Sequence, residues 1–207
     1  TLWAETCGTA FYKIIWNYND GNVIGTDETG HGIREGDVNV VALSPFEIYP
    51  DSLSAQSMEE VKSLIHAKAV PVSEIKEKFG AELVGRDIAE FAFAPYSAAN
   101  GWKTPADGDF RPPAQNAEIL IERYTRPNGE YPEGRLEIVA GGVLLFEGAL
   151  PYRNGDRGER VLPFVRQTCI ELAGAFFGTS VVDRMIPLQR AYNAVRNRKH
   201  EFLNRLT

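Results

Sequence analysis

The sequence predicts an α+β chain: small antiparallel β-sheets joined by short helices and ending in one long C-terminal helix. Three observations predict it. Residues 9–18 (TAFYKIIWNY) are aromatic and β-branched, the composition of a pleated strand. Residues 117–147 hold three apolar runs separated by Arg126-Pro127-Asn128-Gly129 and by Gly141-Gly142, the punctuation of a three-stranded meander. From Val181 onward, apolar residues recur at alternating steps of four and three, the period of a helix with one apolar seam.

Taken in order, the chain opens on Thr1-Leu2-Trp3-Ala4-Glu5, which has neither a basic stretch nor an apolar signal core. Without an initiator Met, and starting within what reads as a strand, it reads as a piece of a longer polypeptide. After the strand at 9–18, Asn19-Asp20-Gly21-Asn22 forms a tight turn, and Val23-Ile24 begins a second strand. The stretch Thr26–Gly32 lacks both a P-loop lysine spacing and a calcium-loop ligand order, so it reads as a hairpin loop. Residues 38–43 (VNVVAL) form another strand, with Ser44–Asp51 as its extended exit. The spacing of Met58, Val61, Leu64 and Ile65 predicts a helix over 56–67. A second short helix opens at Pro71 and closes at Gly80.

Residues 95–116 collect prolines, glycines and small polar residues, which marks 81–116 as a loop-rich connection. Ala117–Tyr124, Arg135–Ala140 and Val143–Glu147 are then the meander strands. A sheet this small needs a covering surface, from the rest of the chain or from a neighbouring subunit. Thr179-Ser180 caps the last helix. Its seam is Val181, Met185, Leu188, Tyr192, Val195, Lys199, Phe202 and Leu206, and Pro187 within it implies a kink or a fresh start.

Composition bounds the function. The 207 residues hold 22 Lys+Arg and 28 Asp+Glu, a net charge of −6, with 43% hydrophobic and 24% charged residues, the balance of a globular protein. No apolar run reaches the roughly 20 residues that span a bilayer, so no membrane partner is expected. Cys7 and Cys169 read as reduced thiols, and His31, His66 and His200 lack metal-ligand spacing. No cofactor, no metal and no catalytic residue is expected, since the nucleophile-elbow, zinc-protease, dinucleotide and Walker patterns are all missing. The charge is uneven. Arg184, Arg190, Arg196, Arg198, Lys199 and Arg205 crowd the last 24 residues, against Glu201 alone. Arg184, Arg198 and Arg205 share one heptad position. Such a row either pairs with carboxylates nearby or meets an anion or an acidic partner, while the acidic remainder repels nucleic acid.

Several phrases together resemble a known family. They are Gly32-Ile33-Arg34-Glu35-Gly36-Asp37-Val38, Leu43–Asp51 (LSPFEIYPD), Leu162-Pro163-Phe164-Val165, Phe177-Gly178-Thr179-Ser180 and Ile186–Arg198 (IPLQRAYNAVRNR). In this order the chain resembles tailed-bacteriophage portal proteins, the head–tail connectors, from Glu5 to Arg205 and most weakly across 81–116. The resemblance implies a non-enzymatic subunit of a ring, usually of twelve copies, at one capsid vertex of a phage or prophage virion, assembled in the host cytoplasm. It implies docking of the large terminase subunit and a head–tail adaptor, contact with capsid and scaffold proteins, and non-specific passage of double-stranded DNA. By similarity 1–80 is wing-like, 117–165 clip-like and 166–207 stem-like. Arg184, Arg190, Arg196, Arg198, Lys199 and Arg205 are then candidates to face the DNA channel or a neighbouring subunit. The N-terminal wing helices, the tunnel loop after the stem and the crown of a complete portal have no counterpart here. Two other readings stay open: another virion structural or adaptor protein, and a small hydrolase with a carboxylate pair assembled in space.

Overall fold

The computed structural model describes residues 2–26, 32–88, 114–155 and 158–206. Its first element is a short helix, α1 (Leu2–Cys7), where the sequence reads as the interior of a strand. The helix buries Ala4, and Thr6 donates a hydrogen bond back to the Leu2 carbonyl. Gly8 turns it sharply into β1 (Thr9–Asn17) at a φ of 86°, and a Cβ at this position would stand 2.3 Å from the Gly178 carbonyl oxygen. Only glycine fits both demands.

β1 is the middle strand of a three-stranded antiparallel sheet, flanked by β4 (Asp37–Leu43) and β13 (Phe164–Thr168). Beyond it the ribbon continues as β2 (Val23–Thr26) paired with β3 (Gly32–Arg34). The turn at residues 19–22 therefore bends the ribbon and does not reverse it. Two hydrogen bonds cross the bend, Glu35 N–H to the Asn22 carbonyl at 2.9 Å and Gly36 N–H to the Asp20 carbonyl at 3.0 Å. All seven residues of β2 and β3 are exposed.

The expected extended exit at Ser44–Asp51 instead folds a 3₁₀ turn over Pro45–Glu47, whose Phe46 N–H is capped by the Ser44 hydroxyl. β5 (Ile48–Pro50) follows and joins the second sheet.

The helix expected over 56–67 does not form; turns cover 58–60 and β6 runs from Ser63 to Pro71. Its apolar spacing fits a helix, but β6 pairs with β8 (Ala114–Thr125) through nine consecutive registers, from Ser63↔Thr125 to Pro71↔Ala117. Leu64, His66 and Val70 alternate onto the buried face. The long partner strand thus overrides a period that twelve residues state only weakly.

α2 (Val72–Phe79) opens after Pro71 and ends at Gly80 in the left-handed conformation, as the sequence predicts. β7 (Arg86–Ile88) also pairs with β8. Most of the expected 95–116 loop lies outside the described residues, and residues 114–116 belong to β8.

β8, β9 (Arg135–Ala140) and β10 (Val143–Gly148) form the expected meander, its hairpin closed by Gly141 and Gly142 with φ of 55° and 79°. β6 and β5 extend the sheet in the order β10-β9-β8-β6-β5, and its covering surface is the chain itself, supplied by the first sheet and by α2. Residues from both sides of the 81–116 connection thus share one sheet. β11 (Tyr152–Arg153) and β12 (Arg160–Val161) form a small ribbon beside it.

The two main sheets meet in one core. Phe11, Leu43 and Phe164 from the first pack with Leu64, Tyr124 and Leu136 from the second, along with Leu150 and Phe176. Phe11 stacks on Phe176 at 5.8 Å, and Tyr124 meets Phe164 edge-on at 5.0 Å. α2 sits over a second cluster of Val70, Ile75, Leu120 and Ala140.

α3 (Val181–Leu206) closes the described chain: 26 residues, about 39 Å at 1.5 Å per residue. It runs through Pro187 as one helix, which excludes the fresh start of the two alternatives expected there. Every described side chain from Val181 to Arg205 is exposed.

Candidate assembly and nucleic-acid interface

The start of α3 is specified locally. Asp183 N–H donates to the Ser180 hydroxyl at 2.9 Å, and Ser180 N–H donates back to the Asp183 carboxylate at 3.3 Å. This reciprocal pair satisfies two donors that a helix start otherwise leaves unpaired. Hydrogen bonds from the Ser180 side chain and then its backbone hold the Asp183 carboxyl below the usual range. Ser180 itself is fully buried, so the root of the helix is anchored while its body is not.

That body carries an uncovered apolar seam. Leu188 is 72% exposed, Val195 67%, Phe202 62% and Tyr192 59%, with Val181, Met185 and Leu203 alongside. At roughly 200 Å² per aromatic ring, Tyr192 and Phe202 alone expose on the order of 240 Å². With the aliphatic residues the seam exceeds what a monomer ordinarily leaves bare.

The six cations predicted from sequence all lie on this helix, but not on one face. At about 100° per residue, Arg198 and Arg205 stand about 20° apart, with Arg184 about 40° further round on the same flank of the seam. Lys199 falls within the seam, Arg196 on its other flank, and Arg190 on the opposite side of the helix. Arg205 pairs with Glu201 at 2.6 Å. Among the described residues, no carboxylate pairs with Arg184, Arg190, Arg196, Arg198 or Lys199. Of the row Arg184, Arg198 and Arg205, the last is thus paired within its own helix, and the first two have no carboxylate partner among the described residues.

The sequence reading missed a buried charged cluster between the two sheets. Glu122 on β8 accepts hydrogen bonds from Lys13 on β1 and, at 2.8 Å, from the Tyr124 hydroxyl; His66 Nδ1 lies 3.2 Å away. His66, 2% exposed, directs its other nitrogen toward Glu47 Oε2 at 3.5 Å. Burial by itself pushes the Glu122 carboxyl up, but the His66 hydrogen bond and the Lys13 charge outweigh it and hold the acid well below the usual carboxylate range. Burial pulls the Lys13 ammonium down against the opposing Glu122 charge, and burial followed by that same charge pushes the Tyr124 hydroxyl up. Period-two alternation along Glu118, Leu120, Glu122 and Tyr124 was the available signal, since it sets all four on one face.

This cluster ties β1, the 3₁₀ turn, β6 and β8 together. It does not open onto the cleft of about 310 Å³ lined by Gln56, Arg166, Thr168, Glu171, Leu172 and Ala175, whose one carboxylate is Glu171. Arg166 in that cleft is occupied, donating to the carbonyls of Phe176 and Gln56.

No protein-family model matches the chain, and no curated protein matches it in sequence.

Proposed function

We propose that this chain is part of a portal-type ring subunit, an architectural protein through whose channel double-stranded DNA is packaged and ejected. The observation that carries this reading is α3: a capped, 26-residue helix whose apolar seam stays exposed among the described residues. An apolar stripe of this length is stable in water only when another surface covers it, and copies of the same helix arranged around an axis supply one.

The charges fit the same reading. Arg184, Arg198 and Arg205 flank the seam, where they face either a neighbouring subunit or the channel. The acidic remainder repels phosphate. Sparse cations strengthen DNA binding only modestly, and a duplex that must slide cannot be gripped. The terminase large subunit and a head–tail adaptor are the protein partners of this reading, and the portal vertex of a virion is its location.

Electron microscopy of the full-length gene product tests it. Closed rings with a central hole are expected. A solution mass near that of a monomer at all concentrations would overturn the ring and favour a baseplate or adaptor module.

A further inference from the structure

We propose that copies of this chain join head to tail through the three-stranded sheet, the free edge of β4 pairing with the free edge of β13 in the next copy. The inference rests on the ring reading and names the contact that would close such a ring.

The direction of the backbone groups follows from two hydrogen bonds. Ile14 N–H donates to the Pro163 carbonyl and Cys169 N–H to the Gly8 carbonyl, both at 2.9 Å. In an antiparallel ladder the N–H and C=O of one residue point the same way, and successive residues alternate. Ile14 therefore points toward β13, and Val40, its partner in register, points its N–H and C=O away from β1. Val38 and Ala42 do the same. On the far side of the sheet, Phe164, Arg166 and Thr168 point theirs away from β1 by the same rule. Among the described residues, no backbone partner meets the outward groups of Val40 or Ala42.

Sheet edges are ordinarily blunted by bulges, prolines, charges or shortness. The second sheet follows this practice: β10 carries a bulge between Leu144 and Phe146, and β5 is three residues long and ends in Pro50. β4 has such a device at its start alone, where the Asp37 carboxylate accepts from the outward Val38 N–H at 2.7 Å. It is seven residues long and regular, its one charge is Asp37 at the start, and Val38 and Val40 are 53% and 55% exposed.

β13 presents the matching edge. Among the described residues no backbone partner meets the outward groups of Phe164, Arg166 or Thr168, whereas the outward carbonyl of Ile170 just beyond accepts the Thr179 N–H at 2.9 Å. The one charged side chain of the strand, Arg166, is already turned onto two carbonyls of its own chain. The two free edges thus lie on opposite sides of one sheet. A second copy supplies to each the edge that the first copy lacks, which is the geometry of a heterologous, ring-forming contact. Both strands are antiparallel to β1, so β4 and the next copy's β13 run in parallel.

The test uses Val40→Pro, which deletes an outward N–H and leaves the β1 ladder intact, beside Val41→Pro, which breaks that ladder. Native mass spectrometry and thermal melting are read on both. Val40→Pro is expected to weaken self-association at least tenfold with little change in the melting of the dissociated chain, whereas Val41→Pro lowers melting itself. In a background with Cys7 and Cys169 changed to Ser, Val40→Cys with Val165→Cys is expected to give a ladder of covalent dimers, trimers and higher species under mild oxidation. Rings that Val40→Pro leaves unchanged, or a ladder that stops at dimers, would overturn this contact while leaving the ring reading standing. A monomeric parent chain would overturn both.

Discussion

Replacing Lys13 by Met removes one partner of a buried ion pair while keeping an unbranched stem against the Tyr124 and Phe164 rings, whose centroids lie 5.5 and 5.8 Å from the ammonium. The Lys13 and Glu122 side chains are only 13% and 10% exposed, so the orphaned carboxylate cannot recover its hydration. Breaking such a pair costs about 3–5 kcal/mol. Because His66 and Tyr124 still contact Glu122, the lower end applies, about 3 kcal/mol. In a domain of this size each kcal/mol moves the midpoint by about 2–4 °C, so a fall of roughly 6–12 °C is expected. The double variant with Glu122→Gln removes both charges and keeps a carbonyl for the Tyr124 hydroxyl. It is expected to return to within about 1 kcal/mol of the parent.

The pH dependence carries an independent check. In the folded chain the Glu122 carboxyl lies below its ordinary value of 4.5, so it contributes stability that is fully present above pH 4.5 and is lost as pH falls through the folded value. Without Lys13 the folded value climbs back, and the gap between Lys13→Met and the parent narrows in acid. Urea unfolding followed by tryptophan fluorescence from pH 7 to pH 3 measures both effects. A deficit under about 1 kcal/mol at pH 7, or a deficit of constant size down to pH 3, refutes the reasoning.

Three further outcomes are expected. Ser180→Ala removes the side-chain half of the reciprocal cap and destabilises the start of α3 by about 1 kcal/mol, visible as lost far-ultraviolet helical signal and faster amide exchange over 181–185. Phe176→Ala opens a cavity beneath a fully buried ring stacked on Phe11 and costs about 3–5 kcal/mol in chemical unfolding. Arg198→Glu, on an exposed helix face, leaves chain stability within about 0.5 kcal/mol but impairs ring formation or DNA packaging, and an unchanged packaging yield counts against its assigned role.

Much of this architecture can be read locally. The β-branched run at 9–17, the Gly141-Gly142 reversal, the Gly80 helix stop and the Ser180 cap each rest on conformational preferences that a few residues express by themselves. The six cations of α3 were likewise visible as a cluster, because helical period turns sequence spacing directly into position. The tertiary structure alone decided the rest. Residues 56–67 carry helical spacing, yet the segment from Ser63 is a strand because β8, more than forty residues away, offers a nine-residue edge to pair with. The turn at 19–22 bends a ribbon because β1's partner is β4 and not β2. Lys13, Glu47, His66 and Glu122 form one cluster only once the fold brings four separate positions within ion-pairing distance, and no local spacing encodes that meeting. The exposure of α3 is of the same kind: its pattern calls for a covering surface, and only the folded chain shows that the described residues leave it exposed. Preferences of a few adjacent residues are written in order along the chain, whereas pairing and burial depend on which remote surfaces the fold makes adjacent.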